Sequence, residues 1–261
     1  MSHIIIIGGT KGLGKAFLET IRQDYIHISV LARTVPAESK ASDSVHFIQA
    51  DVTNPTSLKS AVGQAVRDGG KIKSLVFFQQ HRGTEKRWEG KLASTLTATR
   101  DTFELCNGHF ADEGDKSVVL LTSIASQMVA DEQDEGYHAA KTGLLGLARY
   151  YACKFGPMGV RINCVSPGTV LKAASKHHFL ENPELHDWFK QIVPLHRMGT
   201  ENEVSSVIRF LLSEAASFIT GQELIVDGGA GLRSQESLAR MLFPHRTLPA
   251  LAASAQAPVL T

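Results

Sequence analysis

The chain has little cysteine, almost no net charge and no long apolar run. Three cysteines in 261 residues, Cys106, Cys153 and Cys164, form no CxxC pair. They cannot staple a small disulfide scaffold. An odd number, with no leader-like start, fits a reducing compartment, and a cytoplasmic location is expected. Cys164 sits in an apolar run and reads as packing. Lys and Arg total 27 against 26 Asp and Glu, a formal net charge of +1. The electrostatic footprint of a nucleic-acid binder is missing, so no nucleic-acid partner is expected. Eleven histidines are scattered without a spacing such as HExxH, and no metal site is expected. The first apolar run, "HIIIIG" at residue 3, is too short for a signal core or a membrane span. It reads as a buried strand, with no membrane partner.

What remains is the profile of an ordinary globular chain, 43% apolar and 20% charged. Its length suits one large α/β domain or two small ones. Apolar runs begin at residues 3, 27, 45, 74, 117, 160 and 223. Helix-length segments separate them, which argues for βαβ units and a parallel sheet. Several runs are nearly unbroken in apolar residues, as suits strands covered on both faces. Pro55 after Asn54 marks one helix start, and Thr200 with Glu203 has capping-box spacing. No repeat or linker interrupts residues 1–230. One domain over 1–233 is expected, followed by a tail over 234–261 that is partly ordered or packs over a neighbouring surface.

The first strand runs into "GGTKGLG". Gly8, Gly12 and Gly14 allow a tight turn, let backbone approach a pyrophosphate, and open a helix whose N–H groups favour an anion. The alternative is a tight turn without a ligand. An acid at the end of the second strand would take the ribose hydroxyl of NAD. That position holds Ala32 and Arg33. Arg33 can pair a 2′-phosphate, and Lys11 in the loop adds charge, so NADP(H) is the expected cofactor. The alternative here is two solvated cations.

"DEGYHAAKTG" holds Tyr137 and Lys141, four apart and therefore on one helix face. Alone, that spacing is common. Together with "GGTKGLG", "ADVT" at 50–53, "NCVSPG" at 163–168, "PLHRMGTENEV" and "SFITGQELIVDGG", it makes residues 3–230 resemble the short-chain dehydrogenase/reductase family. The resemblance implies a Rossmann-like doubly wound parallel sheet of seven strands in a single domain. It implies hydride transfer between NADP(H) and a small-molecule carbonyl or alcohol. Tyr137 would be the acid/base, with Lys141 favouring its phenolate and holding the nicotinamide ribose. Ser123 would bond the reacting oxygen, with Ser126 as an alternative, while Thr122 points to the opposite face. Cofactor contacts would come from Gly8, Thr10, Lys11, Gly12, Leu13, Gly14, Arg33, Asp51, Val52, Tyr137, Lys141, Pro167, Gly168 and Val170. A homotetramer or homodimer is implied, with the Tyr137 helix at an interface.

Residues 171–198 occupy the family's substrate lid. There Phe179, Trp188 and Phe189, with His177 and His178, either line a pocket or simply pack. Two segments depart from the family pattern. Its Asn-Asn-Ala-Gly turn is replaced by Phe77, Phe78, Gln79, Gln80, His81 and Arg82. Its helical relay asparagine is replaced by Thr95, with Ser94 beside it. The altered turn is either fitted to a polar or anionic substrate or a drifted loop. Two alternatives stay open: a dehydratase or isomerase using the same Tyr and Lys, and an NADP(H)-binding regulatory protein without turnover.

Overall fold

The computed structural model describes residues 2–36, 44–81, 83, 87–172 and 182–243. In chain order its elements begin β1 (His3–Ile7), α1 (Gly12–Ile21), β2 (His27–Ala32), β3 (Val45–Gln49), α2 (Pro55–Gly69) and β4 (Ser74–Phe77). Next come α3 (Arg87–Leu92), a π-helical turn (Ala93–Thr97), α4 (Ala98–Cys106), β5 (Lys116–Leu121) and α5 (Glu135–Phe155). The chain continues with β6 (Val160–Pro167), β7 (Val170–Leu171), α6 (Pro183–Ile192), β8 (Gly199–Thr200), α7 (Glu201–Leu212), β9 (Glu223–Val226) and α8 (Gln235–Leu242).

Seven strands form one parallel sheet in the order β3-β2-β1-β4-β5-β6-β9. This is the doubly wound, Rossmann-like arrangement. Connections run outward in both directions from β1 and β4, which leaves a crevice at the carboxyl ends of those strands. Every residue of β1 and β4 is buried because helices cover both faces. Alternate side chains feed two cores. Ile5, Ile7, Leu75 and Phe77 meet α2, α4 and α5 through Leu58, Phe103 and Tyr151. Ile4, Ile6 and Val76 meet α1 and α7 through Phe17, Leu18 and Ile208.

The helix starts follow their local chemistry. Asn54 Oδ1 accepts from Ser57 N at the head of α2, and Thr200 and Glu203 form a reciprocal capping box on α7. Two features do not show in the sequence pattern. The short strands β7 and β8 pair across the two ends of the lid. A π-helical turn holds Ser94 and Thr95, both buried, and brings Ser94 to the wall of the cleft. Such turns are rare and cluster at functional positions.

The altered β4 turn has a packing explanation. Phe77 tilts against Phe103 at 5.4 Å in one core, and Phe78 tilts against Phe17 at 5.5 Å in the other. Aromatic packing anchors the strand end where amide hydrogen bonds would otherwise do so. Asn163 holds the far side of the sheet. Its Nδ2 donates to Ile219 O and its Oδ1 accepts from Gln222 N, which docks the approach to β9. In the lid, Phe179, His177 and His178 lie outside the described residues, as do Arg82 and residues 244–261. Trp188 is exposed and Phe189 half-buried on α6. Arg233 donates to Gln191 O of α6 and to the Met241 sulfur, linking α8 to the lid helix.

Candidate active site

The glycine turn is shaped by close approach. Gly8 has φ +85°, and a Cβ there would sit 2.9 Å from Gln79 N. A Cβ on Gly14 would fall 2.6 Å from Gly8 O. Only glycine lets the first turn of α1 tuck this tightly beneath the β4 end. Gly12 also needs its freedom, with φ +54°. Lys11 occupies the N-cap position of α1 but makes no side-chain cap bond. The first-turn N–H groups of α1 are therefore left to an incoming acceptor.

A cleft opens beside this turn. Gly8, Thr10, Lys11, Arg33, Asp51 and Val52 line it, joined by Gln79, Gln80, His81 and Ser94. Asp51 accepts from Thr53 N at 2.9 Å and from Thr53 Oγ1 at 2.7 Å. Those two bonds, with the nearby Arg33 charge, hold its carboxyl below the usual range. Arg33 is exposed at the rim. Gly12, Leu13 and Gly14 sit in the α1 turn just behind the cleft. Pro167, Gly168 and Val170 lie across the sheet, at and beyond the end of β6. A Cβ on Gly168 would press to 2.7 Å from Asp227 Cβ, so this turn is also close-packed.

Gln79 and His81 were not among the cofactor contacts read from the sequence, yet both line the cleft. Gln79 Nε2 donates to Thr99 Oγ1 at 2.9 Å, while its Oε1 is buried without a partner. His81 Nε2 is likewise buried without a partner. The His81 ring is slotted between Gly83 and Gly90, where added Cβ atoms would fall 2.7 and 2.5 Å from it. A glycine cradle, an uncapped helix start and unspent polar atoms fit a dinucleotide.

Ser123, Tyr137 and Lys141 converge past the end of β5. Ser123 caps a short 3₁₀ turn (Ile124–Ser126), its Oγ accepting from Ala125 N. Tyr137 lies in the first turn of α5, where Asp134 Oδ1 accepts from its N–H at 2.9 Å. Burial pushes the Tyr137 phenol up, and the facing Ser123 hydroxyl pulls the other way. Lys141 is 5% exposed, with Nζ donating to Leu121 O at 2.8 Å and standing 5.7 Å from the Tyr137 ring centre. Burial pulls its ammonium down to about 8. Burial is the largest influence on Tyr137, and it favours the neutral phenol.

A second cation flanks the same ring. Lys91 Nζ on α3 lies 5.5 Å from the Tyr137 ring centre and 2.5 Å from Asp134 Oδ2. Its side chain is 11% exposed and that of Asp134 18%. Asp134 therefore ties α3 to the start of α5, taking Lys91 with one oxygen and Tyr137 N with the other. His138 completes the seat. Its Nδ1 donates to Asp134 O, and its Nε2 accepts from Ala130 N, which fixes the ring between the two backbone groups. Lys91 and Asp134 were invisible as a pair in the sequence, being 43 residues apart.

A family model described as enoyl-(acyl carrier protein) reductase matches residues 24–231. An uncharacterized oxidoreductase of Schizosaccharomyces pombe is 28% identical over 236 residues, 87% of this chain and 89% of that protein. A probable galactose dehydrogenase of Rhizobium meliloti is 28% identical over 244 residues, covering 87% and 93% respectively. The ligand-free aldohexose dehydrogenase of Thermoplasma acidophilum superposes with a TM-score of 0.79 at 25% identity, covering 90% of this chain and 95% of that one. The chain belongs to the short-chain dehydrogenase/reductase family of oxidoreductases. Members use a nicotinamide cofactor, NAD or NADP, act on small molecules and usually form oligomers. Among the described residues no helix is long and apolar enough to cross a membrane, and no cluster of His, Cys, Asp or Glu suits a metal ion.

Proposed function

We propose that the chain is an NADP(H)-dependent oxidoreductase that reduces a small-molecule carbonyl, or oxidises the corresponding alcohol, with Tyr137 as the acid/base. The observation that carries this reading is geometric: the half-buried Tyr137 ring faces Ser123 and stands 5.7 Å from the buried Lys141 Nζ. A phenol kept protonated at neutral pH is ready to donate to a carbonyl oxygen. Lys141, as ammonium, stabilises the phenolate that this donation leaves behind. Ser123 donates a hydrogen bond to the same oxygen. A bound nicotinamide supplies or accepts the hydride. The α1 turn would hold its phosphates, Asp51 and Val52 its adenine, and Pro167, Gly168 and Val170 its nicotinamide end.

The relatives named as galactose and aldohexose dehydrogenases support a hydroxyl-rich substrate. Cytoplasmic residence and a homodimer or homotetramer belong to the same proposal. Phe218, Ile225 and Tyr150 stand exposed and available for self-association.

The test is reduction of a panel of ketones, aldoses and quinones, followed by NADPH absorbance. Tyr137→Phe should lower kcat by about 10²-fold or more, the scale of a lost general acid. Turnover that survives this change would sink the role given to Tyr137. Tight NADPH binding with no turnover on any substrate would favour a regulatory binder instead. For cofactor choice, Arg33→Ala should weaken NADPH by about tenfold, the loss of one charge-assisted pair, and leave NADH unchanged. A native preference for NADH would refute Arg33 as the selector.

A further inference from the structure

The last strand of the sheet carries a carboxylate that the reaction does not obviously need. Glu223 begins β9 and is half-buried. No lysine or arginine pairs with it among the described ion pairs. Hydroxyls and an amide satisfy it instead. Its Oε1 accepts from Ser126 Oγ at 2.8 Å and from Ser166 Oγ, and its Oε2 accepts from Gln127 Nε2 at 2.7 Å. Taking a carboxylate out of water without a cation is unfavourable unless donors replace the lost solvation. Here Gln127 Nε2 and Ser166 Oγ do so, and Ser126 Oγ shares its single proton between Glu223 Oε1 and Ser123 O.

These donors come from the two segments that frame the site. Ser126 and Gln127 close the turn that Ser123 opens, and Ser126 Oγ also contacts Ser123 O at 2.6 Å. Ser166 directly precedes Pro167 and Gly168, and its hydroxyl also pairs with Thr122. Thr122 Oγ1 also lies 2.9 Å from Val165 O, so its one proton is divided between that carbonyl and Ser166 Oγ. One carboxylate therefore joins the end of β5, the turn after it and the end of β6, although it lies 96 residues from Gln127 and 57 from Ser166.

We propose that Glu223 is a positioning residue for this site. It acts through Ser126, Gln127 and Ser166 to hold the Ser123 turn in register with Tyr137. The proposal rests on the reading of Tyr137 and Ser123 above. Removing the carboxylate leaves Ser126, Ser166 and Gln127 without their common acceptor, and the turn relaxes. Small displacements of a polarising hydroxyl lower the rate of the chemical step far more than they lower binding.

The experiment compares wild type, Glu223→Val, Glu223→Gln and the exchange pair Glu223→Gln with Gln127→Glu. Glu223→Val should lower kcat by about tenfold or more, with the NADPH dissociation constant changed by less than about threefold. Glu223→Gln turns an amide NH2 toward Gln127, which must rotate its own Oε1 inward to accept it, and it should also lose rate. The exchange pair restores one donor and one acceptor across that contact and should recover most of it. A readout without substrate accompanies these: amide hydrogen exchange in the 124–127 turn should speed up by about tenfold in Glu223→Val while α5 is unchanged. Unaltered exchange in the turn, a kcat equal to wild type, or no recovery in the exchange pair would overturn the proposal. Failure of the Tyr137 reading shows separately, as turnover retained by Tyr137→Phe.

Discussion

Replacing Lys141 by methionine is expected to abolish turnover and, in the same protein, to raise the melting temperature. The ammonium is buried at 5% exposure, and that burial pulls its pKa from 10.5 to about 8. A lowered lysine pKa means that the unfolded chain holds the proton more tightly than the native one. Stability is then diminished below the folded value near 8 and recovers as pH rises toward the unfolded value. At pH 7 the full penalty is present, on the order of 3 kcal/mol. Methionine has a similar length and no charge. It gives up the bond to Leu121 O, which offsets about 1 kcal/mol. A net gain of about 1–2 kcal/mol should raise Tm by roughly 3–6 °C in a chain of this size. Thermal unfolding of the two proteins checks this. A Tm lowered by several degrees would make Lys141 a structural ion rather than one retained for chemistry. On the role proposed for Lys141, the same group would set the alkaline limb of the native enzyme. Carbonyl reduction should fall with an apparent pKa near 8 as the ammonium is lost, and Lys141→Arg should move that limb upward.

The second large effect is acid instability centred on His3, far from the chemistry. His3 is fully buried, with Nδ1 donating to Gly70 O at 3.0 Å and Nε2 accepting from Ser29 Oγ at 2.9 Å. These bonds fix the neutral ring, and burial lowers its pKa from 6.5 to about 4. His27 stacks on His46 at 4.2 Å and meets His3 edge-on at 5.0 Å. Its own pKa is lowered in the same direction, first by burial and then by His46. The α2 terminus leaves no slack, since a Cβ on Gly69 would lie 2.5 Å from the His27 ring. Between pH 6.5 and 4 the unfolded chain takes up a proton at His3 that the native chain refuses. Stability should therefore fall across that window, by about 3 kcal/mol from His3 alone at its lower end. Unfolding in urea at pH 7 and pH 4.5 measures the slope. His3→Asn should be less stable at pH 7 and show a flatter dependence; equal slopes would remove His3 as the cause.

Much of the fold could be read directly because its signals are local. All seven sheet strands coincide with the apolar runs beginning near residues 3, 27, 45, 74, 117, 160 and 223. The Gly8–Gly14 turn and the helical face shared by Tyr137 and Lys141 need only neighbours within a few positions. What the linear pattern could not show was long-range. Phe77 and Phe78 stood only as a departure from the family turn, and their packing partners, Phe103 and Phe17, lie 26 and 61 residues away. Nothing local in the sequence pairs Lys91 with Asp134, or Glu223 with Ser126.

The sequence by itself determined the βαβ order, the glycine turn and the presence of a tyrosine and lysine on one helical turn, because backbone periodicity and φ preferences act over short spans. Only the tertiary structure decided that burial favours the neutral form of Tyr137, that Lys91 and Asp134 flank it, and that Glu223 joins two distant turns. Desolvation and side-chain hydrogen bonding depend on what surrounds a group in space, and residues tens of positions away supply those surroundings.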